Sequence, residues 1–301
     1  MKKILFTISL LLCAVIGNAT AIFNGQGQGT QSSPYEIWNL DRLNEVRNFV
    51  GNEGVGVYFR LEKDLDLTEY LEGLSWEAIG SSAEPFKGVF LGNNKKITGM
   101  TINETTNYQG FFGFISGATI QDLTIEGTVI GGAYTGGIVG SSSGSNTIKN
   151  CTFNGNVTGT GQYVGGIAGS FTGTLNNVKH TGTTNGTGYV GGIVGNHASG
   201  SMTTATNTGN VTATSSNYAG GIVGVTQTAI SSANNTGTVT GKQYVGGLAG
   251  SAQNSENVSN SSANGKVTGT SYTGGLIGNK DGGTVSGCSS KGVVSGGQYT
   301  G

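Results

Sequence analysis

The sequence predicts an all-β fold: a right-handed parallel β-helix, a solenoid of coils of ~27 residues behind an N-terminal cap that contains one short helix. Three observations carry this. The heptapeptide Tyr134-Thr135-Gly136-Gly137-Ile138-Val139-Gly140 returns from Tyr163, Tyr189, Tyr218, Tyr244 and Tyr272, and Tyr299-Thr300-Gly301 opens another copy. The tyrosines are spaced by 29, 26, 29, 26, 28 and 27 residues, the period of a stacked array. A second stretch, Ile148-x-x-Cys151-x-Phe153-x-Gly155-x-Val157, keeps time with the first, recurring from Ile120, Leu175, Met202, Ile230, Val258 and Val285. Within it Cys151, Phe153 and Val157 alternate with Thr152, Asn154 and Asn156, the period of two of a half-buried strand. No stretch of the repeats has helical periodicity.

Each repeat is therefore expected to hold about two short strands, joined by turns rich in glycine, serine and asparagine. Stacking each strand on its equivalent one coil away, about 4.8 Å apart, turns like positions into ladders. One reads Leu123, Cys151, Val178, Ala205, Ala233, Ser261, Cys288; its neighbour reads Ile125, Phe153, His180, Asn207, Asn235, Ala263, Ser290. Stacked asparagines can satisfy one another's amides, as buried polar groups require. Parallel crossovers are right-handed in nearly all cases, which sets the expected hand. The glycines of Gly-Gly-Ile-Val-Gly mark a corner or a close backbone approach where a Cβ would clash. Ile138 and Val139 are both apolar, so either one points outward or the strand kinks at the glycine pair.

In chain order, residues 1–21 form a signal peptide: Lys2 and Lys3, an apolar run from Ile4 to Ile16, and the small-residue cleavage site Ala19-Thr20-Ala21. The run is shorter than the ~20 apolar residues that span a bilayer. A lipoprotein leader ending at Cys13 would need a small residue where the bulky Leu12 stands. The mature chain is expected outside the cell or on its surface, with no membrane span once the leader is removed. Residues 22–33, rich in Gly, Gln and Ser, predict a flexible start. Residues 34–105 predict the cap and first coils. Asn39 can cap a helix with Leu40, Leu43, Val46 and Val50 on one face, ending at Gly51. Val57–Leu61 and Phe86–Phe90 read as strands, and Gly92-Asn93-Asn94 as a turn. Such a cap covers the unpaired backbone at the end of a stack. Residues 106–301 are the repeats proper; they stop in mid-motif at Gly301, so a further C-terminal domain is expected.

Without Lys2 and Lys3 the chain has 13 basic and 16 acidic residues, a net charge of −3. Residues 22–105 hold 12 acids and 7 bases, and residues 106–301 only 4 acids and 6 bases. Neither part has a basic stripe to neutralise a run of phosphates, so nucleic acid is not an expected partner.

Several of these stretches also carry a family resemblance. Pro34-Tyr35-Glu36-Ile37, Asp64-Leu65-Asp66-Leu67, Ala78-Ile79-Gly80-Ser81, Phe86-Lys87-Gly88 and the repeated Gly-Ile-Val-Gly resemble the GLUG-motif proteins. Leu91 and Asn94 depart from the pattern, where the family tends to have Asp and a second Gly. The resemblance covers roughly residues 30–301. It implies a parallel β-helix of the pectate-lyase-like kind, a location outside the cell, a Bacteroidetes-type surface protein and no chemistry of its own.

The residues themselves point the same way. Glycoside hydrolysis needs two carboxylates facing one groove, and the repeats offer only Asp122, Glu126, Glu256 and Asp281. Asp122 and Glu126 are near neighbours without an accompanying Arg or His. Asp64 and Asp66 share a strand face, where they would satisfy backbone amides of the cap or, alternatively, bind a cation. His180 and His197 fall on different parts of different coils. No catalytic residue, metal site or cofactor is expected. Cys151 and Cys288 lie five coils apart, roughly 24 Å at the usual strand spacing, too far for a disulfide. The expected function is a non-enzymatic, adhesin-like surface scaffold or stalk whose polar ladders make multivalent contacts, with host or bacterial surface glycans or proteins as partners. One alternative is a carbohydrate-binding module. Its contact ladder would be Tyr134, Tyr163, Tyr189, Tyr218, Tyr244 and Tyr272, which otherwise form a stacked edge that holds the corner. A polysaccharide-degrading β-helix enzyme is the remaining alternative.

Overall fold

The protein is described by a computed structural model covering residues 21–215, 218–254 and 256–301, so the predicted leader, apart from Ala21, lies outside the described residues. Every strand pairing among them is parallel, in one 24-stranded and one seven-stranded sheet. The chain is a parallel β-solenoid. One ladder counts its coils: Tyr35, Phe59, Phe90, Ile120, Ile148, Leu175, Met202, Ile230, Val258 and Val285 pair in turn, ten rungs. The ladder through His180 keeps the expected register, with Phe153, His180, Asn207, Asn235, Ala263 and Ser290 each opposite the next. The inner positions Cys151, Phe153 and Val157 are fully buried, as the alternation requires.

Each coil has more strands than the two expected. The coil from Tyr218 has five: Tyr218–Gly220, Val223–Thr226, Ile230–Ser231, Asn234–Asn235 and Val239–Thr240. A recurring left-handed residue follows the first apolar rung; it separates two strands at Ser232 and Asn260 but lies within one continuous strand, such as Asn146–Gly159, in the earlier coils. Asp122, Asn150, Asn177, Thr204, Ser232 and Asn260 have φ between 49° and 56°, a region that Asn and Asp tolerate better than most residues. Each turns the chain by a corner that hydrophobic alternation alone does not reveal.

The second corner is built on the glycine pair. Ile138 and Val139 are both buried, and both donate their N–H to the Ile167 carbonyl at 3.0 Å. Ile167 and Ala168 share the Ile193 carbonyl in the same way, as do Ile193 and Val194 that of Ile222. The chain therefore kinks after the glycines and sends two successive side chains inward. A Cβ on Gly137 would lie 2.3 Å from the Phe153 ring, on Gly166 2.3 Å from the His180 ring, and on Gly192 2.5 Å from the Asn207 amide. The second glycine of each pair leaves room for the inward side chain of the Phe153, His180, Asn207 ladder.

The N-terminal end is closed by α1 (Leu40–Glu45), continued by a 3-10 turn over Val46–Asn48. Asn39 Oδ1 accepts the Arg42 N–H at 2.9 Å, the predicted cap, and Leu43 and Val46 are buried. A short α2 (Thr68–Leu71) was not foreseen. The start expected to be flexible is tied down instead. Phe23 is buried and stacks on Tyr35 with centroids 4.5 Å apart, and the Asn24 side chain donates to Glu45 at 2.7 Å. A single aromatic anchor reverses what a Gly- and Ser-rich composition suggests. The Gly92-Asn93-Asn94 turn is a bend within one continuous strand, Val89–Asn103, with Asn93 and Asn94 left-handed.

The glycine corner yields a stability prediction. Gly166→Ala should lower unfolding free energy in a urea titration by about 1–3 kcal/mol, because its new methyl group meets the His180 ring and the Gly192 carbonyl. Lys179→Ala, at an exposed outward position of the same coil, should change it by less than about 0.5 kcal/mol.

Candidate functional site

The tyrosines form the longest single feature of the surface. From Tyr108 through Tyr134, Tyr163, Tyr189, Tyr218, Tyr244 and Tyr272 to Tyr299 the rings pack one on the next with centroids 4.8–5.1 Å apart. Tyr108, Tyr134, Tyr163, Tyr244, Tyr272 and Tyr299 sit at φ between 46° and 63°, a strained conformation for a bulky residue that persists only where its surroundings over-determine it. Here stacking and burial do so. All are half-buried except Tyr272 and Tyr299, which are 38% and 70% exposed at the end of the stack. Burial first, and neighbouring phenols second, push up the pKa of Tyr163 and Tyr218. Within the stack each ring face lies against another ring, so this surface offers ring edges and phenol groups.

One recess interrupts the tyrosine edge. Thr184 pairs with Val157 on one side and Val211 on the other. From these equivalent positions the chain takes five residues to reach Tyr189, but six to reach Tyr163 and seven to reach Tyr218. The short turn is thus flanked by two longer ones. Between them lies an open cleft of about 280 Å³ lined by Gly161, Gln162, Thr187, Gly188, Tyr189, Ser215 and Tyr218. The signal was present in the sequence as the 29, 26, 29 alternation of spacings.

Inside the solenoid runs a polar ladder. Asn207 Nδ2 donates to Asn235 Oδ1 at 2.9 Å, and each amide also brackets its own chain two residues on, at Gly209 and Gly237. His180 stacks on Phe153 and places Nε2 2.9 Å from the Gly155 carbonyl and Nδ1 3.2 Å from Asn207 Oδ1. A second buried cluster joins His197 Nε2 to the Gly173 carbonyl at 3.0 Å and Nδ1 to the Thr228 hydroxyl at 2.7 Å, with Thr226 behind it. Its signal was weak: neither threonine falls in a recurring motif. Burial, outweighing the hydrogen bonds, lowers the pKa of His180 and takes that of His197 down to about 4.

The carboxylates are engaged in structure. Asp122 accepts from Gln121 and Asn150, and Glu126 from Lys96 and Asn154. Asp64 accepts the Lys96 N–H, and Asp66 the Thr68 N–H and hydroxyl, the cap role weighed against a cation site. Among the described residues no group of three or more His, Cys, Asp or Glu is placed to hold a metal ion. Cys151 and Cys288 are free thiols. Burial pushes the Cys151 thiol up to about 12.

A family profile described as "The GLUG motif" matches residues 241–268, the coil around Tyr244. That coil carries a GLUG motif. Two curated relatives share the chain's sequence in part: a protein of Evansella cellulosilytica provisionally named a Gly-rich membrane protein, and Halomucin of Haloquadratum walsbyi. The first is 37% identical over 147 residues and the second 36% identical over 160, which are 48% and 51% of this chain. The chain spans only 17% and 2% of those relatives' own lengths. Among solved structures it is similar to a Bacteroides ovatus protein provisionally named an immunoglobulin A1 protease. The TM-score is 0.55 at 21% identity, over 91% of this chain and 86% of that one; that likeness concerns the fold.

Two measurements follow for the buried polar groups and thiols of these coils. Unfolded, His197 binds a proton below its ordinary value of 6.5, whereas folded it stays neutral down to about 4. Stability is therefore greatest above pH 6.5 and falls as pH drops toward 4, by up to about 1.4 kcal/mol per pH unit from this residue, with His180 acting in the same direction. Urea midpoints between pH 7 and 4 should show that slope, and His197→Gln should flatten it. For the thiols, Cys288 should react with a disulfide reagent in the native protein while Cys151 reacts only after denaturant is added.

Proposed function

We propose that the chain is a non-enzymatic repeat scaffold of the cell surface, adhesin-like, that holds polar ladders in fixed register for multivalent contact. The observation that carries this is the outward register. Thr152, Lys179, Thr206, Asn234, Ser262 and Ser289 occupy one such ladder, and Thr158, Asn185, Thr212, Thr240, Thr268 and Ser295 another. Side chains also bond rung to rung. Thr181 donates to Asn154, Asn176 to Thr203, and Ser262 to Asn234, so each presented group is held by its neighbours.

A contact too weak to hold alone, repeated each coil, gains by effective concentration once the first is made. A rigid solenoid suits this because the groups need no ordering on binding. The names of the two curated relatives, a membrane protein and a halomucin, support a place at the cell surface. Among the described residues no helix is long and apolar enough to cross a membrane.

The test is adhesion of beads coated with the purified chain to bacterial and epithelial cells, with an incubation of the soluble chain and immunoglobulin A1 alongside. Retention that rises steeply with coating density, and intact immunoglobulin, is the expected result. Cleavage of the immunoglobulin, or retention no greater than on albumin-coated beads, would sink the proposal.

A further inference from the structure

The tyrosine ladder holds oxidisable side chains at fixed spacing, and the scaffold role calls for none of that chemistry. We propose that the ladder is a covalent modification site, where tyrosines of neighbouring coils are oxidatively coupled to dityrosine and so staple one coil to the next.

The structure supplies the two things that coupling needs. The first is proximity. Dityrosine forms when two phenoxyl radicals meet, and radicals on separate chains seldom do. Here a second phenol stands one rung away. Ring centroids lie 4.9 Å apart for Tyr108 and Tyr134, 4.9 Å for Tyr163 and Tyr189, and 4.8 Å for Tyr244 and Tyr272. Holding the partners side by side turns a bimolecular encounter into an intramolecular one. The second is access. Tyr134, Tyr163, Tyr189 and Tyr244 are half-buried, and because their faces are covered by other rings, what solvent reaches is the edge. That edge carries the hydroxyl and the two Cε carbons beside it, where the radical's unpaired electron is shared. The new carbon–carbon bond lies in the plane of each ring, so a parallel pair must tilt before it closes. Tyr134 and Tyr163, 5.1 Å apart, are already inclined by 37°, the largest angle in the stack, and form the principal site.

The oxidant is hydrogen peroxide acting through a haem peroxidase, which removes one electron at a time. Each phenol gives up an electron and a proton and becomes a neutral phenoxyl radical. Two radicals then join Cε to Cε, and each coupled carbon passes its hydrogen to a ring oxygen, which restores both aromatic rings and both hydroxyls. For each bond formed, the tyrosine pair loses two hydrogen atoms and one peroxide becomes two waters. Among the described residues no disulfide ties coil to coil, Cys151 and Cys288 being free thiols, so this bond would be the covalent link between coils.

Three tyrosines outside the ladder serve as internal controls. The ring contacts of Tyr35 are with Phe23, Phe49 and Phe59. Tyr70 is 38% exposed, as Tyr272 is, but among the described residues neither Tyr58 nor Tyr70 stacks on a tyrosine. Coupling governed by exposure favours Tyr70; coupling governed by stacking leaves it out.

The experiment treats the purified chain with a haem peroxidase and hydrogen peroxide, isolates the monomer, and maps its cross-linked peptides by mass spectrometry. Dityrosine fluorescence in the monomer is expected. Peptides joined through tyrosines of adjacent coils, Tyr134 to Tyr163 foremost, should be at least about tenfold more abundant than any pair containing Tyr58 or Tyr70. The oxidised monomer should unfold at a higher urea concentration than the untreated chain. Tyr163→Phe keeps a ring in the stack and removes the phenol; it should lose the links to Tyr134 and Tyr189 and retain that between Tyr244 and Tyr272. Unchanged circular dichroism separates this loss from misfolding, and the map of the unaltered chain tests the proposal without the variant. Absence of dityrosine from the folded monomer overturns it. So do links at Tyr58 or Tyr70 as frequent as those in the ladder, a map that folded Tyr163→Phe leaves unchanged, or an oxidised monomer no more resistant to urea.

Discussion

The structure depends on one constraint: every coil must lie flat on the next, strand over strand, so that each backbone N–H and C=O finds its partner in a neighbouring coil. Two features of the sequence make that possible. The glycine pairs let the chain turn a corner against an inward ladder side chain, as Gly137 does under Phe153 and Gly166 under His180. The left-handed residues at Asn150, Asn177 and their equivalents turn the other corner. With both corners fixed, chemical identity can vary along a ladder while geometry does not. The same rung is Phe, then His, then Asn, then Ala.

That variation has a direction. Toward the N-terminal end the core is aromatic, with Trp76 on Phe111 at 5.1 Å and Phe86 on Phe112 at 4.8 Å. Further on, bulk gives way to hydrogen bonding. An apolar ladder is held by area, at roughly 25 cal/mol for each Å² buried. A polar one is held by a chain of bonds that must all be made, because an unpaired buried group is costly. Asn207 and Asn235 are bonded to each other and to their own backbones, which favours one register over any slip by a residue. The later coils thus trade some burial for specificity of stacking.

On the outside, the tyrosine stack does for the surface what the asparagines do for the interior. Each ring covers the next and leaves only edges and phenols to solvent, so a row of large aromatics does not become a sticky apolar stripe. The recess at Tyr189 exists because turn length is the one variable the stack does not constrain. The number of residues before Tyr163 and Tyr218 differs while the rungs on either side keep their register. In a solenoid of this kind, function is most readily added at such turns.

The repeat, its period, the inward ladders and the asparagine pairing were all legible in the sequence, because a stacked array repeats its local chemistry and the period of two marks which side is inside. The helix cap at Asn39 was legible for a similar reason, since capping is local. The tertiary structure decided what depends on neighbours. It showed that Ile138 and Val139 both turn inward, that one expected strand breaks at a left-handed residue, and that Phe23 pins a segment whose composition suggests freedom. It alone brought His197 to Thr228, and Gln162 and Ser215 to the cleft beside Tyr189. Those contacts join residues about one or two coils apart, and which of them meet is set by the register of stacking, a property of the whole array rather than of any one repeat.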